Sequence, residues 1–239
     1  MSYPVFLNIK DLSCLVVGGG RVGLRKARGL ADAGARVRVV EPKPSETLLE
    51  MEKKGLVQIK EAEFAPEDLG GMRLVFAATQ KAEVNALVAQ EAGKRGIWCN
   101  IADAPLASDF FLPALVRRGD LMLAISTGGK SPALARKLRM DLEKIFDAAY
   151  LPFLELMGRL REMLLAQGHD PDGHRDLFRN LVEGPLLEYI REEDVEAVAR
   201  LLEPIAGADA MALAVSVTKE HPAGKIPEIP GDFSEKGDS

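Results

Sequence analysis

The first hundred residues of the chain alternate between two hydrophobic periods. Residues 12–17 form an apolar run too short for a helix, the pattern of a strand buried on both faces of a sheet. A glycine cluster follows. From 21 to 33 the apolar positions Val22, Ala27, Leu30 and Ala31 recur on one side of a helix. The same alternation continues with a short buried strand over 37–40, a helix over 47–54 and a weak strand over 57–59. It ends with a buried strand over 74–78, a helix over 82–94 and a fifth strand over 97–101. Strands and helices alternating in this way predict an α/β fold: a Rossmann-like doubly wound parallel sheet.

The pattern changes after residue 109. Two apolar runs, 110–116 and 121–126, are separated only by Arg117-Arg118-Gly119-Asp120. No helix fits between them, so the segment predicts a β-hairpin with those four residues as its turn. Ser131-Pro132 then opens a helix, with a hydroxyl for the cap and a proline suited to the first turn. Leu134, Leu138, Leu142, Ile145 and Phe146 form the apolar stripe of that helix. From 150 to 204 the pattern is helical throughout, broken near 168–173 and at Gly184-Pro185. The expected organisation is a cofactor-binding domain over 1–112, a dimerisation and substrate region over 113–149 and a small helical domain over 150–206. A tail over 207–239 is expected to fray where proline, glycine and charge dominate.

Composition narrows the function classes. With 47% hydrophobic and 28% charged residues in 239, a packed core is expected and wholesale disorder is not. A net charge of -5 argues against a general nucleic-acid binder but leaves room for a local basic site. Cys14 and Cys99 lie inside apolar runs, which reads as two buried thiols in a reducing cytoplasm. The start, Met1-Ser2-Tyr3-Pro4, lacks a basic segment followed by an apolar core, and no uninterrupted apolar run approaches the ~20 residues that span a bilayer. No membrane partner is therefore expected. His169, His174 and His221 have no cysteine at zinc spacing, so no metal site is expected. His169 and His174 beside Asp170 and Asp172 form the one cluster worth testing.

The most specific local signal is Gly18-Gly19-Gly20-Arg21-Val22-Gly23. It contains G-x-G-x-x-G directly after a buried strand and at the start of a helix, the context a dinucleotide turn requires. Gly18 permits the tight turn, Gly20 lets backbone approach a pyrophosphate, and Gly23 lets helix and strand pack closely. Glu41, at the end of the second strand, stands where an acidic side chain accepts hydrogen bonds from the adenosine ribose and repels a 2′-phosphate. This favours NAD over NADP. Ligands of open α/β sheets bind beyond the strand carboxyl ends, so Ala78 and Thr79 after the fourth strand, and Asn100 with Asp103 at the fifth, should line the crevice. Further on, Arg117, Arg118, Lys130, Arg136, Lys137 and Arg139 face Asp120 alone between 113 and 139. This is local basicity in an acidic chain, with Gly128-Gly129 as a potential anion nest.

Together these segments resemble the precorrin-2 dehydrogenase / sirohydrochlorin ferrochelatase family, which includes the N-terminal part of siroheme synthases. The resemblance runs from about residue 3 to 146. It rests on Pro4-Val5-Phe6-Leu7-Asn8-Ile9, on the glycine turn with Arg25-Lys26, and on Phe76-Ala77-Ala78-Thr79 with Asn85. Its most specific parts are Cys99-Asn100-Ile101-Ala102-Asp103 and the stretch from Ile125 through Ser126-Thr127-Gly128-Gly129-Lys130-Ser131-Pro132 to Ala135. Glu183-Gly184-Pro185-Leu186 resembles a short motif of the family's helical domain.

The resemblance implies NAD-dependent dehydrogenation of precorrin-2 to sirohydrochlorin, on the way to siroheme or cobalamin, by a homodimeric enzyme. Some members are also lyases that insert ferrous iron, so ferrous or cobalt ion is a candidate second substrate. Asp103 is the expected catalytic residue, because the matching aspartate is implicated in both activities and a carboxylate there can take a proton from the tetrapyrrole. Ser126, Thr127, Gly128, Lys130, Ser131 and Arg136 are the expected substrate-binding set, cations and donors suited to a macrocycle bearing many carboxylates. The methyltransferase domain of the multifunctional members is not expected within these residues. Two other classes use parts of the same signal: a non-catalytic NAD-sensing module needs only the glycine turn, and a tetrapyrrole chelatase needs only the later motifs.

Overall fold

In the computed structural model, which describes residues 2–102, 104–166 and 174–219, the apolar run read as a central strand is β1 (Ser13–Val17). Successive side chains of a strand point to opposite faces. Here Cys14 and Val16 enter one apolar cluster, and Leu15 and Val17 enter a second on the other face. A strand buried on both sides needs helices on both sides, which is why no polar alternation appears in its sequence. The other strands are β2 (Arg36–Val40), β3 (Gln58–Lys60), β4 (Leu74–Ala77) and β5 (Trp98–Ile101). They pair in the order β3-β2-β1-β4-β5, and every pair is parallel. Helices α1 (Arg21–Asp32), α2 (Glu46–Lys53) and α3 (Ala82–Lys94) fall within one or two residues of the expected spans. The order turns back at β1, so its carboxyl end and that of β4 form the switch point where open α/β sheets bind ligands.

The free edge of β5 is sealed by the chain that follows it. The Asp109 N–H donates to the Cys99 carbonyl (2.9 Å), and the Asp109 carboxylate accepts from the Cys99 N–H (2.8 Å). Ser108 Oγ accepts from the Ile101 N–H (2.8 Å). Side-chain oxygens thus stand in for a sixth strand and remove an edge that could template pairing with another chain.

The hairpin differs from expectation in its first arm. Its strands are β6 (Ala114–Arg118) and β7 (Leu121–Ile125), so Arg117 and Arg118 belong to β6 and the turn is only Gly119-Asp120. Gly119 sits at φ 59°, which suits a glycine-first two-residue hairpin turn. Arg118 is buried, with 4% of its surface exposed, and its guanidinium donates to the carbonyls of Arg117 (2.8 Å) and Glu143 (3.1 Å). Phe110 and Leu112 leave the hairpin and pack on the sheet instead, the Phe110 ring standing edge-on to Phe76 at 5.4 Å.

The chain divides into two compact units. One comprises the residues up to Ala114 together with Ser126–Pro132. The other comprises Leu115–Ile125 and the described residues from Ala133 to Lys219. In the second unit, α4 (Pro132–Ile145) is followed by α5 (Tyr150–Ala166), α6 (Arg175–Glu183), α7 (Leu186–Arg191), α8 (Val195–Ala206) and α9 (Ala210–Lys219). The helical region therefore runs past the expected limit at 206. After a break at Gly207 (φ 51°), α9 places Ala210, Ala214 and Val217 in the same core as Leu156, Leu160 and Leu202. Burial of that small-residue face is what keeps these residues out of the tail. The stretch Val195–Thr218 is long and apolar enough to cross a membrane by length and composition, more so than the sequence pattern suggested, but it is broken at Gly207 and feeds this core. The remainder of the expected tail, 220–239 with His221, and the cluster of His169, Asp170 and Asp172 lie outside the described residues.

Candidate cofactor and active site

Each glycine of the turn after β1 meets a different neighbour. Gly18 adopts φ 106°, and a β-carbon there would lie 2.5 Å from the carbonyl oxygen of Ala78. At Gly23 it would lie 1.9 Å from the carbonyl oxygen of Gly18. These two glycines are demanded by the protein's own packing. At Gly20 an added β-carbon would meet nothing within 4 Å. Gly20 is the N-cap residue of α1, which has no side-chain cap and no acidic residue in its first turn. The amide-rich helix start, with Arg21 and Val22 in its first turn, therefore stands beside an open approach, a cradle suited to a pyrophosphate.

Gly19 is explained by Glu41. One Glu41 carboxylate oxygen accepts from the Gly19 N–H at 2.6 Å, and the other accepts from the Lys43 N–H at 3.0 Å. A β-carbon at Gly19 would lie 2.7 Å from Glu41 Cγ. The acidic side chain at the end of β2 is thus held against the glycine turn, where a ribose of a dinucleotide would reach it.

The wall opposite is the end of β4. Ala78 continues that strand's pairing through its N–H to the Val17 carbonyl (2.8 Å). Thr79 was expected to offer its hydroxyl to the cofactor, but the protein already uses that hydroxyl. It lies 2.8 Å from Asn85 Oδ1 and 3.0 Å from the Lys81 carbonyl, with one hydrogen for the two, and it accepts from the Lys81 N–H at 3.2 Å. Asn85 was not among the expected site residues, although it formed part of the family resemblance. No spacing rule singles out a buried amide on the first turn of a helix. Asn100, expected to line the crevice, donates from Nδ2 to the Phe110 carbonyl at 2.8 Å and ties β5 to the segment beyond it. Ala102 donates to the Ala77 carbonyl (2.8 Å), which fixes the chain immediately before Asp103 at the ends of β4 and β5. Asp103 itself lies outside the described residues.

The segment Ser126–Pro132 belongs to the same compact unit as the sheet. It closes on itself: the Thr127 hydroxyl donates to the Ser131 carbonyl (3.1 Å) and accepts from the Ser131 N–H (3.2 Å), while Ser126 Oγ accepts from the Gly128 N–H (3.1 Å). Gly128 and Gly129 both have positive φ, 61° and 77°. Of the basic residues expected to serve an anionic ligand, Arg118 is buried on carbonyls, Lys137 pairs with Asp141, and Arg139 pairs with Glu143. Lys130 and Arg136 are exposed, without an acidic partner among the described residues. Burial pushes the thiols of Cys14 and Cys99 up to about 11, and for Cys99 the Asp109 carboxylate adds to the rise, so neither is a thiolate at neutral pH. No group of three or more His, Cys, Asp or Glu side chains assembles for a metal among the described residues.

Comparison with known proteins adds a family to this geometry. Residues 5–114 match a family model described as putative NAD(P)-binding, and residues 118–145 match one described as sirohaem biosynthesis protein central. The chain is 40% identical over 198 residues to a siroheme synthase of Chromobacterium violaceum, covering 83% of this chain and 42% of that protein. It is 38% identical over 198 residues to a siroheme synthase of Methylococcus capsulatus, covering 82% and 42%. The chain thus spans about two-fifths of the length of these relatives. A solved structure named SirC, precorrin-2 dehydrogenase, matches with a TM-score of 0.67 at 29% identity, covering 77% of this chain and 91% of that one.

Proposed function

Since the chain belongs to the family of precorrin-2 dehydrogenases and the N-terminal part of siroheme synthases, we propose that it binds NAD and dehydrogenates precorrin-2 to sirohydrochlorin. One observation carries the reading. The glycine turn is complete where packing needs it and open at Gly20 where a pyrophosphate would come, in a chain that also bears the Ser126–Pro132 loop on the same unit.

The residues would divide the work as follows. The backbone of the Gly18–Gly23 turn and the start of α1 hold the pyrophosphate, and Glu41 holds the ribose and disfavours a 2′-phosphate. When bound, the nicotinamide supplies the hydride acceptor. Two hydrogens leave the substrate, one as hydride and one as a proton. Asp103, next in sequence to the strand-anchored Ala102, is the group we assign to the proton or to orienting a pyrrole N–H. Lys130, in the loop that Ser126, Thr127, Gly128 and Ser131 shape, and Arg136 on α4 are cations assigned to substrate carboxylates. Exposed apolar residues on α4 support a homodimer, and two free, buried thiols fit the reducing cytoplasm we assign to the enzyme.

The test is an assay with precorrin-2 and NAD. NADH absorbance should rise in step with the spectral conversion of precorrin-2. Binding of NAD without turnover would replace the reading with a sensing module. Parallel reactions with ferrous or cobalt ion ask whether the product is then metallated, which decides whether metal insertion belongs to this chain.

A further inference from the structure

The loop after β4 is organised around one side chain that the proposed chemistry does not use. Asn85, on the first turn of α3, is buried, with 7% of its surface exposed. Both ends of its amide bond to a single residue. Oδ1 accepts from the Thr79 N–H (3.1 Å) and lies 2.8 Å from the Thr79 hydroxyl, and Nδ2 donates to the Thr79 carbonyl (3.0 Å). A helix-start amide ordinarily serves its own helix or water. Here α3 has no side-chain cap, and Asn85 reaches back to the strand-end loop instead.

What Asn85 fixes lies against the cofactor turn. A β-carbon at Gly18 would come within 2.5 Å of the Ala78 carbonyl oxygen and 2.9 Å of the Thr79 nitrogen, so the two backbones are in direct contact. Any displacement of Thr79 by a few tenths of an ångström presses on Gly18 or opens a gap beside it. Gly18 in turn is locked to Gly23, whose α-carbon leaves no room for a side chain beside the Gly18 carbonyl. The chain of contact therefore runs from Asn85 through Thr79 and Gly18 to the start of α1.

We infer that Asn85 is a cofactor-positioning residue: through Thr79 it holds the crevice wall in the register that the glycine turn needs to receive the dinucleotide. This rests on the NAD reading above. The residue does not touch the cofactor, and its effect is on where the turn's amides stand.

The experiment uses the full chain and calorimetric titration with NAD. It starts with the unsubstituted protein, then takes Asn85→Asp and Thr79→Val, each at a temperature where circular dichroism shows it fully folded. Asn85→Asp keeps the acceptor but turns the donor to the Thr79 carbonyl into a repelling oxygen. Thr79→Val removes only the hydroxyl and leaves α3 and Asn85 intact. The expected result is NAD affinity weaker by about tenfold or more for Asn85→Asp and by a smaller factor for Thr79→Val, the scale of a buried hydrogen bond lost with its partner left unpaired. A purely structural role would lower the melting temperature of both variants and leave the dissociation constant of the folded protein unchanged, and that result overturns the inference alone. If Asn85→Asp does not fold, Thr79→Val decides by the same criterion. No heat of binding from the unsubstituted chain would overturn the NAD reading and this inference together.

Discussion

The turn after β1 separates two demands that the fingerprint merges. Gly23 is required by the fold, because a β-carbon there would overlap the Gly18 carbonyl, whereas a β-carbon at Gly20 would meet no protein atom within 4 Å, so only the proposed dinucleotide would need that position bare. Gly23→Ala should therefore destabilise the protein by about 1–3 kcal/mol through overpacking, read as a fall in the urea midpoint. Gly20→Leu should leave that midpoint close to the unsubstituted value and abolish calorimetric NAD binding. Equal losses of stability from both substitutions would remove the ligand argument from Gly20. At Asp103 the readout is kinetic: Asp103→Asn keeps size and most hydrogen bonding but loses the anion, so turnover should fall on the order of a hundredfold with NAD affinity unchanged. Near-full turnover would leave proton loss to water, with the protein contributing positioning alone. The two thiols report on burial. Their folded pKa is raised by burial to about 11 from 9.0, so the unfolded chain ionises first as the pH climbs. Their contribution is whole below pH 9 and is lost between 9 and about 11. Urea midpoints should drop less steeply over that window in a Cys14→Ala, Cys99→Ala variant than in the unsubstituted chain.

At the scale of elements, the edge clamp on β5 makes a sharp contrast with its neighbour in sequence. Asp109 and Ser108 satisfy the backbone of Cys99 and Ile101, so Asp109→Ala leaves a half-buried N–H without that partner. The expected cost is about 1–3 kcal/mol of stability, seen in thermal or urea unfolding, with turnover per folded molecule little changed. That behaviour is the reverse of the one expected for Asp103. The five parallel strands and three covering helices were readable because each carries its own period and its burial follows from it, and the glycine turn was readable because its geometry is local. The failures share a different cause. Arg117 and Arg118 read as turn residues because two charges precede Gly-Asp, yet Arg118 is buried with its guanidinium on the carbonyl of Glu143, twenty-five residues away in α4. Helix α9 was read as tail because an alanine-rich run has little contrast between its faces, and only the core of α5 and α8 decides which face is inside. Thr79 was assigned to the cofactor from its place at a strand end, and the sequence did not show that its hydroxyl is also engaged by Asn85, whose position is fixed by where α3 begins. Polar side chains near strand ends have several possible partners, and the sequence pattern ranks none of them.

At the scale of the whole molecule, an apolar face of α4 is left uncovered among the described residues. Helix α4 has no buried residue, and Leu134, Leu138, Met140 and Ile145 are between 38% and 59% exposed. On β7, Met122 is exposed as well. The helical core is built without any residue of α4, so this stripe is not a worn edge of the unit's own interior. Scattered exposed leucines are ordinary, but Leu134, Leu138 and Ile145 share one exposed face of α4, the face that the proposed homodimer would cover. A two-fold contact between identical stripes is the simplest way to cover it, since each copy then supplies the complement of the other. Light scattering at micromolar concentration should give twice the chain mass. Leu134→Glu with Leu138→Glu places two charges one turn apart in the centre of that contact, and like charges facing their own copies across a two-fold axis would oppose association. This variant should scatter as a monomer while keeping the helical circular dichroism of the unsubstituted protein. If the unsubstituted chain is itself monomeric, identical stripes do not meet, and the exposed face of α4 must be matched by a surface of different shape.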